Sequence, residues 1–143
     1  MIYADYAFYT GTFYGDLIPE ESFAKYAARA SDYIDRVTMN RAQNYVVLHP
    51  DDLSVKKACC AGADQYFMIS KAKAAAASDS GELASETVGN HSVSYRSGLE
   101  TAAALEAELR NVVESYLAMT GLLYRGISHV YSTCSNHCQR DRG

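Results

Sequence analysis

Residues 19–38 read PEESFAKYAARASDYIDRVT, and this stretch decides the fold. Its larger apolar residues recur every three or four positions, which is the spacing of one face of an α-helix. Pro19 can begin a helix because its missing N–H would have no partner there, and Glu20 and Glu21 complement the helix dipole. The stretch therefore predicts an amphipathic helix over residues 19–38, with charged side chains on its other face.

Two further segments show the same periodicity. Residues 51–77 begin with an acidic pair suited to a helix N-terminus. They contain Gly62, which costs up to about 1 kcal/mol relative to Ala and therefore indicates a close helix contact. Residues 97–120 begin with a capping box formed by Ser97 and Glu100, and a glycine suited to a left-handed cap follows them. These segments predict three main helices in a small, mainly α-helical bundle.

Two shorter segments flank the first main helix. Asp5 is suited to cap a short N-terminal helix of one or two turns, which Gly11 would end. Residues 45–48, which read YVVL, predict either a short strand or an extended link that buries apolar groups under the helices. We leave both interpretations of residues 45–48 open.

A β-hairpin is predicted between the second and third main helices. Residues 84–88 and 91–95 flank Gly89 and Asn90, a two-residue loop with Gly first, as a type II′ turn requires. One face of this hairpin carries only small hydroxyl side chains. Because a two-stranded hairpin is marginal in water, we expect it to lean on the helices or on another subunit.

The adjacent cysteines lie in the second main helix. Cys59 and Cys60 point in different directions, so we expect only Cys59, on the apolar stripe, to fill the core. Because no secretory leader precedes the domain, all four cysteines are expected to be reduced.

Composition and charge narrow the function classes. The chain has 143 residues, enough for one domain, and its net charge of −4 argues against general binding to nucleic acid or anionic lipid. No apolar run reaches the roughly 18 residues that predict a membrane span. The 12 tyrosines and few large aliphatic residues leave two interpretations open, a core completed by a neighbouring subunit or a Tyr-rich monomer.

The sequence contains no motif for catalysis or cofactor binding. There is no G-x-S-x-G nucleophile motif and no glycine-rich phosphate loop. The acid pairs Glu20/Glu21 and Asp51/Asp52 lie at helix starts, where capping and the helix dipole account for them. We therefore predict no catalytic residue, no cofactor and no enzymatic activity.

The helical pattern ends near residue 126. Residues 1–126 are predicted to form the domain, and residues 127–143 a flexible C-terminal tail. This end of the chain contains residue types that bind zinc, but their spacing is not that of paired ligand clusters. We therefore assign no metal site to His129, Cys134, His137 and Cys138.

Several short pieces of sequence occur in a particular order up to Gly126. They are Tyr33-Ile34-Asp35 with Thr38 and Arg41, Val55-Lys56 with Ala58 and Cys60, Ser85-Glu86, Val88-Gly89, Ser92-Val93-Ser94-Tyr95, and Thr120-Gly121-Leu122-Leu123-Tyr124-Arg125-Gly126. In this order and spacing they resemble the head–tail connector, or head-completion adaptor, proteins of tailed bacteriophages and prophages. Residues after Gly126 depart from the pattern, so no family property is carried over to them.

This resemblance implies a helical bundle with a protruding hairpin or loop, assembled as a closed ring of about twelve copies beneath the portal protein. It implies that double-stranded DNA passes through the ring without sequence-specific contacts and that a neck or tail completion protein docks below. It implies a structural virion protein without catalysis, found in the virion and, during assembly, in the host cytoplasm. The residues expected to face the channel or a neighbouring subunit are Ser85, Thr87, Gly89, Asn90, Ser92 and Ser94.

A docking segment for the portal protein is predicted just after the third main helix. Leu122, Leu123, Tyr124 and Arg125 combine apolar, aromatic and arginine side chains, which is the composition of interface hot spots. Packing of the same residues back onto the bundle is the alternative. Two other function classes stay open: a metal-binding or regulatory module that uses the tail, and a small non-viral helical interaction protein.

Overall fold

A computed structural model describes residues 1–82 and 89–125, with side chains at residues 1–77 and 101–125. This part of the chain is mainly α-helical, which confirms that part of the predicted fold class. Its helices are α1 (Tyr6–Gly11), α2 (Glu20–Val37), α3 (Arg41–Leu48), α4 (Ser54–Glu82) and α5 (Gly89–Leu117), and a 3-10 turn, Ala118–Thr120, follows α5. The predicted tail, residues 127–143, lies outside the described residues.

Helix α2 confirms the amphipathic helix predicted over residues 19–38. It packs antiparallel to α4, because Ser31 near its C-terminus lies against Cys59 while Tyr26 donates a hydrogen bond to Ser70 further along α4. The apolar face of α2 is buried against α4 and its charged face is exposed, as the periodicity requires.

Helix α5 packs antiparallel to α4 on the same middle section. Val113 lies against Gly62, while Glu106, nearer the start of α5, pairs with Lys73, further along α4. A Cβ atom at Gly62 would lie 3.1 Å from the Ala30 Cβ and 3.2 Å from the Val113 Cγ2. The close helix contact predicted from this glycine is therefore confirmed, and it joins all three long helices.

The middle of α4 is enclosed on several sides. Residues 58–63, which read ACCAGA, are all buried, and both Cys59 and Cys60 are fully buried. The prediction that only Cys59 belongs to the core is therefore wrong. Helices α2 and α5 cover α4, and the N-terminal segment, with Tyr3 and Ala4 buried, covers the rest of this section. Burial raises the pKa of both thiols.

The buried tyrosines find their hydrogen-bond partners within one chain. The Tyr9 hydroxyl donates to Asp64 Oδ1 at 2.6 Å and accepts from the backbone N–H groups of residues 17–18 at 3.2 and 3.3 Å. The hydroxyls of Tyr3 and Tyr26 also donate to side chains of the same chain. The burial of these tyrosines therefore needs no neighbouring subunit.

Residues 45–48 lie in α3, so the predicted strand or extended link there is wrong. A left-handed turn at Met39 and Asn40, with φ values of 53° and 60°, follows α2 and directs the chain into α3. The Tyr45 hydroxyl then donates a hydrogen bond to Asp52, which fixes α3 against the start of α4. These tertiary contacts outweigh the β propensity of the valine pair.

The structure does not support the predicted β-hairpin. Residues 91–95, its expected second strand, lie in α5, whereas residues 84–88, its expected first strand, lie outside the described residues. Helix α5 begins at Gly89, earlier than the capping box at Ser97 indicated. A continuous helix satisfies its own backbone hydrogen bonds, whereas a two-stranded hairpin is marginal without further packing.

The predicted ends of two helical segments are confirmed. Asp5 caps α1, since its Oδ1 accepts a hydrogen bond from the backbone N–H of Phe8 at 2.8 Å. Gly121 adopts the left-handed conformation, with φ of 75°, after the 3-10 turn that follows α5. Among the helices that the structure describes, none combines the length and the hydropathy that a membrane span requires.

Candidate docking surface

The chain that follows α5 is held against the turn between α2 and α3. The guanidinium of Arg41 donates to the carbonyl oxygen of Leu122 and, at 2.8 Å, to that of Tyr124, while its Nε donates to the Thr38 carbonyl at 3.0 Å. Because the donors of a guanidinium form a rigid planar fork, they hold these carbonyl groups in a defined arrangement. Residues 122–125 therefore follow a defined path over this end of the bundle.

The four predicted docking residues do not share one environment. Leu122 is buried and Leu123 half-buried, and both pack against the hydrophobic core. Tyr124 is 60% exposed and Arg125 is also exposed. Of the two interpretations, packing onto the bundle is therefore correct for Leu122, which anchors the segment. Tyr124 and Arg125 remain accessible to a partner.

Two methionines extend this exposed region. Met39, in the turn before α3, is 57% exposed, and Met119, in the 3-10 turn after α5, is 95% exposed. Met39 follows Thr38, and Met119 lies three residues before Leu122, so both are close in sequence to carbonyl groups that Arg41 binds. We call Met39, Met119, Tyr124 and Arg125 the end surface. Methionine is adaptable and Tyr and Arg are enriched at interface hot spots, so this composition is typical of a docking surface.

A small cavity of about 220 Å³ opens beside the end surface. It is lined by Val37, Arg110, Glu114, Leu123 and Arg125. The Arg110 Nε donates to Glu114 Oε1 at 2.8 Å, so this positive charge is matched within α5. Arg125 forms no ion pair with any residue that the structure describes, and its charge is therefore available to an acidic partner.

A second groove, of about 470 Å³, lies where α2, α4 and α5 meet. Its walls carry the rings of Tyr33 and Tyr66 and the charged side chains of Arg29, Arg36, Lys73 and Glu106. We call it the arginine groove.

The charges of the arginine groove are only partly matched. Lys73 Nζ pairs with Glu106 Oε1 at 2.6 Å, whereas Arg29 and Arg36 form no ion pair within the described part of the chain. Burial raises the pKa of Tyr66, and the two arginines act in the opposite direction. The groove thus combines aromatic surface with two unmatched positive charges.

The titratable groups of the bundle interior have structural partners. Burial raises the pKa of Asp64, and the hydrogen bond from Tyr9 partly offsets this rise. The pKa of Asp52 is lowered to about 2, chiefly by hydrogen bonds from Ser54 and then from Tyr45. Among side chains at residues 1–77 and 101–125, no group of three His, Cys, Asp or Glu residues is arranged to hold a metal ion.

The residues predicted to face a channel or a neighbouring subunit are placed only in part. Gly89, Asn90, Ser92 and Ser94 lie in the first turns of α5, whereas Ser85 and Thr87 lie outside the described residues. Their predicted role stays a prediction. The zinc-type residues His129, Cys134, His137 and Cys138 also lie outside the described part.

Sequence reasoning missed two features of these surfaces. It did not predict that Arg41 would bond to carbonyl groups some 80 positions later, because nothing local to Arg41 signals so distant a partner. It also treated Arg29 and Arg36 only as the polar side of a helix. Their seven-residue spacing, about two helical turns, was the available signal that they share one face.

Comparison of the chain with protein-family models, with curated proteins and with solved structures finds no match in any of the three.

Proposed function

We propose that this chain is a structural subunit of a head–tail connector in a tailed bacteriophage or prophage. Copies assemble as a closed ring that joins the portal protein to a neck or tail completion protein, and double-stranded DNA leaves the head through this ring. The role is architectural, with no catalysis and no cofactor. The protein belongs to the virion and, during assembly, to the host cytoplasm.

The observation that carries this proposal is the end surface. A protein whose only task was to be a stable helical bundle would have no need for an apolar and cationic surface of Met39, Met119, Tyr124 and Arg125. Exposed large apolar side chains beside an arginine are characteristic of docking sites on proteins. The Arg41 hydrogen bonds to this segment reduce the ordering entropy that binding would otherwise cost.

The charge of the chain also supports a conduit for DNA. A net charge of −4 disfavours tight contact with phosphate groups. Each Lys or Arg side chain set on a phosphate adds salt-dependent affinity, whereas DNA must slide through a connector without stopping. We therefore propose that the ring presents few unpaired cations to the DNA.

The portal contact is tested by pull-down with the portal protein encoded in the same genome. Replacing both Tyr124 and Arg125 with Ala is expected to reduce retention by about tenfold or more, because both side chains leave the contact. This variant is preferable to truncation after Gly121, which would also remove Leu122 from the core. The matched control is Tyr14→Ala, because Tyr14 is 82% exposed and lies outside the end surface.

Equal retention of the double variant and the intact chain would contradict the portal contact. Zinc analysis of the purified chain separates the proposal from the metal-binding alternative: a stoichiometric zinc ion, together with no retention of portal protein, would favour a metal-binding module. A chain that retains portal protein and lacks zinc supports the connector.

A further inference from the structure

Two cations of the arginine groove have no anionic partner among the residues that the structure describes. Lys73 is already paired with Glu106, but Arg29 and Arg36 are not paired with any described residue. Asp32 lies between the two arginines on α2 and forms no ion pair with either. A partner that fits this groove therefore carries a carboxylate together with apolar side chains that pack on the tyrosine rings.

The same chain presents such a group elsewhere. At the junction of α3 and α4, Val47 is 75% exposed and Leu48 is 74% exposed. Asp51 follows them, is exposed, and forms no ion pair within the described residues. We call Val47, Leu48 and Asp51 the corner. The neighbouring Asp52, with a pKa of about 2, adds a second negative charge near neutral pH.

The corner of one chain cannot reach the Lys73 end of its own groove. The corner precedes the start of α4 at Ser54, whereas Lys73 of the groove lies 19 residues later in the same continuous helix. At a rise of 1.5 Å per residue this separation is about 28 Å along the axis. A contact between the corner and this end of the groove must therefore join two copies of the chain. Within one chain, Asp51 forms no ion pair with Arg29 or Arg36.

We propose that the corner of one copy docks into the arginine groove of a second copy, with Val47 and Leu48 against the tyrosine rings and Asp51 facing Arg29 and Arg36. This inference rests on the proposed function, since it names the surfaces through which the connector ring assembles. The two surfaces differ, so the contact is heterologous: each copy keeps one free corner and one free groove, and the assembly continues until a ring closes.

Charge exchange tests the contact. In analytical ultracentrifugation over a range of concentrations, Arg36→Glu and Asp51→Lys are each expected to weaken self-association by about tenfold, because each places like charges together. The double variant carrying both changes is expected to recover most of the loss, since the pair is restored with reversed signs. The control Lys25→Glu changes an exposed charge on α2 outside both surfaces and is expected to leave self-association unaltered.

Disulfide trapping gives a second measurement that captures weak association. The chain carrying Leu48→Cys and Lys73→Cys, with Cys134 and Cys138 replaced by Ser, is oxidised and examined on a non-reducing gel. Because about 28 Å separates the groove end of α4 from its start, the two engineered thiols cannot bridge within one chain. A heterologous contact is expected to give a ladder beyond the dimer. A chain with only one of the two engineered cysteines is expected to stop at dimer or monomer.

Failure of the double charge variant to restore association would overturn the inference, and so would the absence of a ladder. Either result leaves the portal contact untouched, because that contact is tested through Tyr124 and Arg125. Equal retention of portal protein by the Tyr124/Arg125 double variant and the intact chain, together with an intact ladder, would instead contradict the portal contact and retain the contact between copies.

Discussion

The guanidinium of Arg41 donates a hydrogen bond of 2.8 Å to the backbone carbonyl of Tyr124, which lies 83 residues later in the chain. This one contact joins the turn after α2 to the segment after α5. It connects the stability of the bundle with the placement of the end surface, so a substitution at Arg41 is expected to affect both.

Replacing Arg41 with Ala is expected to lower the free energy of unfolding by about 1–2 kcal/mol, because partly exposed charge-assisted hydrogen bonds to three carbonyl groups are lost. Lys at this position keeps the charge without the planar fork and is expected to recover less than half of the loss. Urea unfolding measures both effects.

The control Arg29→Ala removes an exposed arginine without an ion pair in the described chain and is expected to change stability by less than about 0.5 kcal/mol. An unchanged Arg41→Ala protein would contradict this account.

Replacing Gly62 with Val is expected to destabilise the protein by about 1–3 kcal/mol, because α2 and α5 both lie within contact distance of a Cβ there. Thermal unfolding measures the loss. Gly11 is the matched control, since a Cβ at Gly11 meets nothing within 4 Å. Similar effects of Gly62→Val and Gly11→Val would show that the helices do not approach closely at Gly62.

Replacing Tyr9 with Phe is expected to cost about 1–3 kcal/mol at pH 7, since Asp64 and the N–H groups of residues 17–18 lose their partner. The native pKa of Asp64 is raised, so the native protein keeps this proton to higher pH than the unfolded chain does. The contribution of Asp64 to stability therefore falls as pH rises through its native pKa. Because the Tyr9 hydroxyl favours the ionised carboxylate, the deficit of the variant is expected to be larger at pH 7 than near pH 4.

Denaturant unfolding at the two pH values measures this difference, and Tyr14→Phe serves as the control because the Tyr14 ring is exposed. A deficit of Tyr9→Phe that is the same at both pH values would show that the hydroxyl does not act on the charge of Asp64.

Replacing Asp52 with Asn is expected to cost about 0.5–1 kcal/mol at pH 7, because the carboxylate accepts hydrogen bonds from the Ser54 N–H, at 2.9 Å, and from the Tyr45 hydroxyl. The native pKa of Asp52 is about 2, below its ordinary value, so this contribution is present above pH 4 and is lost as pH falls towards 2. Unfolding curves over this range are expected to converge for the variant and the intact chain. The control is Asp51→Asn, because Asp51 is exposed and forms no ion pair in the described chain; it is expected to leave stability unchanged. A deficit of Asp52→Asn that stays constant between pH 7 and pH 2 would contradict the prediction.

The sequence predicts the parts of this fold that local chemistry determines. The apolar spacing in residues 19–38 and the Asp5 cap depend on neighbours within a few positions, and both are confirmed. Residues 45–48 and 91–95 have β-forming side chains but lie in helices. In residues 45–48, Tyr45 and Val46 pack against the core, and such packing is not visible in the local pattern. Cys60 was not predicted to be buried, because an apolar stripe along one face of α4 does not show that other segments cover the remaining faces of this helix.

The candidate surfaces were predictable to a smaller extent. The composition of residues 122–125 indicates a docking segment, but the burial of Leu122 depends on where α5 ends relative to the core. The arginine groove requires three helices to be placed side by side, and no local pattern specifies that arrangement.

Residues 58–63 of α4 have only small side chains, so α2 and α5 can approach its backbone closely. The distances between these helices are therefore set by direct contact near the backbone of α4. A shift of α2 or α5 towards α4 would cause steric clashes at once. This middle section is therefore rigid, and it fixes the position of the end surface relative to the arginine groove. In the proposed connector, subunits with such a rigid middle section would repeat with the same angle from one copy to the next. Accurate closure of the proposed ring would therefore depend on a row of alanines, cysteines and one glycine that are buried within each subunit.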